Sequence, residues 1–86
     1  MSLAMLIERV TRYEIPGLGD RVRSARLKSG KTLTALAAEA GMSHTNWYRI
    51  EREEVKTLPE DTLKAVERAL GIQLIPPEEE AVQTDD

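Results

Sequence analysis

The chain has no cysteine and a single histidine, His44, among its 86 residues. It therefore holds no disulfide and no reactive thiol, and a zinc site of the usual Cys/His kind is excluded. No second ligand lies at helical spacing from His44, so that residue is not read as a metal ligand, and no metal or cofactor is implied. Long apolar runs are missing too. Residues 1–10 are broken by Glu8 and Arg9, fall well short of the roughly 20 residues needed to cross a bilayer, and make no convincing secretory signal. There is no glycine-rich phosphate loop, and the carboxylates fall in runs of the solvated kind, so an enzyme is not indicated. These absences support a cytoplasmic protein with no membrane partner.

Charge is present and unevenly placed. The whole chain carries a net charge of -3, yet residues 18–58 hold eight bases against five acids, a net +3, while residues 59–86 hold two bases against eight acids, a net -6. A basic central segment suits a polyanionic partner even though the overall sum does not. A core built from 86 residues outweighs chain entropy only narrowly, which favours a helical fold or one shared with a partner.

Apolar spacing and turn residues divide the chain into segments. In residues 1–17, Leu3, Leu6, Ile7, Val10 and Tyr13 recur at helical spacing, whereas Val10, Thr11, Tyr13 and Ile15 suit a strand. Both forms stay open, and the segment is a candidate dimer contact. Ile15-Pro16-Gly17 marks a turn. A helix is predicted over Leu18–Ser29, with Leu18, Val22 and Ala25 on one face and Gly30 as its stop. Thr32 caps a second helix that carries Leu36, Ala37 and Ala40 inward until Gly41 breaks it. Ser43 caps a third, reaching about Arg52, with Trp47 and Ile50 on one side and His44, Thr45, Tyr48, Arg49 and Arg52 on the other. Thr57-Leu58-Pro59-Glu60 opens a fourth, whose stripe of Leu63, Val66, Ala69 and Leu70 ends at Gly71. Residues 72–75 are apolar, either an edge strand pairing with the N-terminal segment or another subunit, or a chain end covering the core. Residues 76–86 are an acidic tail expected to be disordered. The expected fold is all-α: four helices, five if the N-terminal segment is helical, with short terminal segments suited to pairing as strands. Its main domain is residues 18–75.

From Leu18 to about Ile72 the residues resemble the lambda-repressor-like, Cro/XRE-type helix-turn-helix family, with Leu36, Ala37, Gly41, Ile50 and Glu51 at the positions its motif uses. Ala37 must be small because the third helix crosses close above it, and Gly41 supplies a turn conformation costly for other residues. The resemblance implies a compact helix-turn-helix domain and sequence-specific binding of double-stranded DNA by a transcriptional regulator of bacterial or phage type. It would act as a homodimer, its two recognition helices about 34 Å apart in successive major grooves. It further implies a structural pair between Arg26 and Glu51, and a recognition helix at about residues 44–52. On that helix His44, Thr45, Tyr48 and Arg49 are base-contact candidates, Arg49 foremost because a bidentate arginine–guanine pair carries about 1–3 kcal/mol of discrimination. Lys31, Asn46 and Arg52 are phosphate-contact candidates. Trp47, bulkier than the family's usual aliphatic residue, belongs to the core rather than to base stacking.

Three positions depart from the pattern. Leu33 stands where a DNA-contacting glutamine is common, and Glu53 and Glu54 stand where a glycine and basic residues often follow the third helix. Two acids beside a polyanion weaken binding, and an exposed Leu33 would create an apolar docking surface. A second reading from another class follows: a protein-interaction module or antitoxin-like protein that keeps the scaffold and binds a protein partner through its acidic C-terminal part.

Overall fold

In the computed structural model, which describes residues 11–76 and 83–85, glycines and hydroxyl caps divide the chain into four helices. Helix α1 (Leu18–Ser29) lies between Gly17 and Gly30, both in the left-handed conformation. The Thr32 hydroxyl accepts from the Ala35 amide at 3.1 Å and so caps α2 (Leu33–Glu39). Ser43 caps α3 (His44–Glu51) through the same bond from the Asn46 amide, also 3.1 Å. Each such cap contributes about 1 kcal/mol. Helix α4 (Glu60–Leu70) carries Glu60 and Asp61 in its first turn, where they complement the helix dipole, and stops at Gly71.

Every helix turns one apolar stripe inward. Leu18 and Val22 from α1, Leu36 and Ala37 from α2, Trp47 and Ile50 from α3, and Leu63 and Val66 from α4 form one cluster, which Tyr13, Leu58 and Leu74 complete from outside the helices. Ala25, read as part of the α1 stripe, is half-buried. Trp47 is fully buried and the largest such side chain. An indole of that size contributes roughly 4 kcal/mol through the area it removes from water.

A small sheet closes one side. Strand β1 (Thr11–Tyr13) pairs antiparallel with β2 (Leu58–Pro59) and with β3 (Gln83–Asp85), in the order β2-β1-β3, so that Arg12 faces Pro59 on one side and Thr84 on the other. Thr11–Tyr13 thus take the strand alternative, while Leu3, Leu6, Ile7 and Val10 lie outside the described residues. The signal read at residues 57–60 serves two elements. Pro59 ends β2 and is also the N-cap of α4, a position at a sheet edge where its missing N–H breaks no ladder.

Of the two alternatives for residues 72–75, the structure takes the chain end that covers the core. Residues 72–75 form no strand, because the amides of Leu74 and Ile75 both donate to the Glu67 carboxylate, at 2.6 and 2.8 Å. Donors committed to a side chain are lost to a ladder. Arg21 holds the same segment from α1, donating to the Gln73 carbonyl at 2.9 Å, and Leu74 is buried as a cover for the core. The strand that joins β1 instead is β3, inside the stretch read as a disordered tail. The disorder reading therefore fails for those three residues, and residues 77–82 and 86 lie outside the description.

Candidate nucleic-acid interface

The α2–α3 junction is set by backbone hydrogen bonds. Gly41 is left-handed (φ 71°), its amide donates to the Ala38 carbonyl at 3.0 Å, and the Met42 amide donates to Ala37 at 2.9 Å. This pair of bonds is a Schellman closure, which reverses the chain within one residue of the helix end. An added Cβ on Gly41 would meet nothing within 4 Å, so its requirement is conformational and not steric. Ser43 begins the next cap at once, and so short a link forces the two helices to cross steeply.

Glu51, at the last turn of α3, anchors that helix to the rest of the domain. Arg26 clamps its carboxylate, with Nε donating to Oε2 at 2.6 Å and Nη2 to Oε1 at 2.9 Å, while the Trp47 indole Nε1 donates to Oε2 at 2.7 Å. The Glu51 side chain is only 2% exposed and Arg26 18%. A carboxylate this deeply buried is tolerable because three donors satisfy it. The bond to Glu51 raises the Arg26 pKa above its ordinary value; burial opposes this, and the charge of Glu51 and proximity to Tyr48 add to the rise. The sign follows: stability contributed by the Arg26 charge is fully present below the ordinary arginine pKa and is lost only as pH climbs through the raised one.

Gly19 completes the seam between α1 and α3. A Cβ there would overlap the Glu51 carbonyl oxygen and lie 2.9 Å from its carbon. Gly19 and Arg26 are seven residues apart, about 10 Å along the helix, yet both reach Glu51, because side chains on a helix lean toward its N-terminus. One residue of α3 is held by backbone packing and by charge together.

With Trp47, Ile50 and Glu51 directed inward, the opposite face of α3 is free. His44, Thr45, Asn46, Tyr48 and Arg49 are exposed on it, with Arg52 just beyond its end. The Arg52 guanidinium carbon sits 5.4 Å from the Tyr48 ring centroid. Arg49 and Arg52 share one counter-ion, with Nε of each 3.8 and 3.2 Å from the Glu54 carboxylate. Lys31 stands apart from this group, just ahead of the α2 cap, with its Nζ 3.2 Å from Glu39. That exposed pair adds little stability. Leu33 is half-buried against the core, so the condition for an apolar docking face at this position is not met. Three residues ahead of Leu36, it extends the same inward stripe.

Two structural residues had not been singled out from the sequence in these roles. The Trp47–Glu51 hydrogen bond spans an i,i+4 step and could have been read from the spacing. Gly19 leaves no comparable sign, since its neighbour belongs to a helix 25 residues or more away in sequence.

A family model described as helix-turn-helix domain matches residues 17–81. The chain belongs to this family. No curated protein and no solved structure matches it significantly. As a class, helix-turn-helix domains bind DNA with the second helix of the motif, which here is α3. No helix among the described residues is long and apolar enough to cross a membrane, and no group of three or more His, Cys, Asp or Glu among them could hold a metal ion.

Proposed function

We propose that this helix-turn-helix domain is a transcriptional regulator of the lambda-repressor-like, Cro/XRE type that binds specific duplex sequences as a cytoplasmic homodimer. The observation that carries the reading is α3 itself: its core face is fixed through Glu51, and its outer face presents one contiguous polar row. A rigid helix with a polar outer row fits the major groove, and a loosely held one would spend binding energy on ordering. In this reading His44, Thr45, Tyr48 and Arg49 meet base edges, and Lys31, Asn46 and Arg52 meet phosphates. Dimerisation places two copies of α3 about 34 Å apart. The chain performs recognition and no catalysis.

A second reading, a protein-interaction or antitoxin-like module, is favoured by one observation. A groove beside Arg49, lined by Met42, Ile50, Val55 and Leu58, offers an apolar seat next to the recognition face. Salt separates the two. DNA binding predicts duplex affinity that falls steeply between ~50 and ~200 mM salt, in proportion to the phosphates neutralised. An absence of duplex binding even at ~50 mM salt, together with a monomer by light scattering, would favour the protein-binding module.

A further inference from the structure

We infer that Glu54 is a built-in competitor of the DNA backbone, occupying Arg49 and Arg52 in the free protein and so restraining sequence-independent binding. The inference rests on the DNA-binding reading above and names a residue that restrains its sequence-independent part.

The backbone puts Glu54 in place. Glu53 is left-handed (φ 54°), its amide donates to Ile50 at 3.0 Å, and the Glu54 amide donates to the Arg49 carbonyl at 3.0 Å. The chain is thereby folded back over the last turn of α3. From there the Glu54 carboxylate reaches Arg52 Nε at 3.2 Å and Arg49 Nε at 3.8 Å. Two guanidinium groups around one oxyanion is also the arrangement that a phosphate would use. All three side chains are about half-exposed, so the pairing stabilises the fold little and exchanges readily. A docking phosphate must displace Glu54 and leave its charge beside a polyanion. That penalty falls on every sequence alike. An arginine that gains a bidentate fork on guanine recovers more than one that merely exchanges a carboxylate for a phosphate. Glu54 therefore lowers non-specific affinity, and a site that supplies the guanine fork is the one that still binds.

Glu53 provides the control. It carries the same charge one residue earlier and, among the ion pairs of the described residues, joins neither arginine. The full chain and its Glu54→Gln and Glu53→Gln variants are compared by binding to random-sequence duplex across a salt series. The arginine Nε–H resonances are recorded without DNA. Glu54→Gln is expected to bind about 3- to 10-fold more tightly than the parent at ~100 mM salt, and Glu53→Gln less than about 2-fold more tightly. The Arg49 and Arg52 Nε–H signals should move in Glu54→Gln and stay in place in Glu53→Gln. Equal gains in the two variants would reduce the effect to net charge and overturn the inference. So would Nε–H signals that ignore Glu54→Gln. If those signals move but no protein binds duplex at ~50 mM salt, the contact stands and the DNA-binding reading falls, taking the competitor role with it.

Discussion

At the end of α2 the amides of Gly41 and Met42 close onto Ala38 and Ala37, and at the end of α3 the amides of Glu53 and Glu54 close onto Ile50 and Arg49 in the same way. Both turns pass through a left-handed residue, with φ 71° at Gly41 and 54° at Glu53. Glycine adopts that conformation freely, whereas a residue with a Cβ gives up about 1 kcal/mol to do so. Glu53 is the one non-glycine residue with positive φ among those described. The first turn serves geometry alone, since it only has to bring α3 across α2. The second accepts strain at Glu53, where glycine would be easier, and it sets the Glu54 carboxylate beside Arg49 and Arg52. Strain of this kind accumulates where a protein binds something.

The two ends differ also in how they are held. No atom crowds Gly41, while Gly19 and Arg26 of α1 close on Glu51 at the end of α3. Removing that anchor should break the comparison most severely. Glu51→Ala is expected to destabilise the domain by about 3 kcal/mol, because it leaves the Trp47 indole N–H and the Arg26 guanidinium without their acceptor. Urea unfolding followed by the fluorescence of Trp47, the only tryptophan, reads the change. A loss below about 1 kcal/mol would show that the anchor is ornamental. Gly19→Ala should cost about 2 kcal/mol in the same assay, since the added methyl group overlaps the Glu51 backbone carbonyl, which cannot swing aside as the neighbouring Glu53 side chain can. Full stability in that variant would mean that α1 and α3 approach less closely in solution.

Smaller effects sharpen the contrast between the two turns. Gly41→Ala is expected to lose about 1 kcal/mol through its left-handed backbone alone. Glu53→Gly should have the opposite sign, a gain of about 0.5 kcal/mol, because relief of strain exceeds the extra entropy of glycine in the unfolded chain. If both substitutions destabilised equally, Glu53 would be packed too well for its strain to matter.

Helix boundaries were legible because they are written in local chemistry: Thr32 and Ser43 as caps, and Gly30, Gly41 and Gly71 as stops. The inward faces of α2 and α3 were legible from periodicity, and the structure brings Arg26 and Glu51, named through the family resemblance, into contact. The sheet was only half legible. Gln83–Asp85 carries no alternation of apolar and polar residues, so nothing local marks it as the partner of β1. Residues 72–75 look like a strand by composition, and only the fold shows that Glu67 takes their donors. At the candidate interface the polar row could be listed from a helical wheel. That Glu53 and Glu54 form a turn returning one carboxylate to two arginines depends on the backbone at a helix end, which composition does not encode.

The most direct test of α3 as a reader of duplex sequence is selection from a random DNA pool with the full chain and with Arg49→Ala. The parent should enrich one motif, repeated as two half-sites about 34 Å apart, and Arg49→Ala should lose preference at one position in each half-site, by about 1–3 kcal/mol. A pool that stays random with the parent chain, or a motif unchanged by Arg49→Ala, would contradict the assignment of this face to base reading.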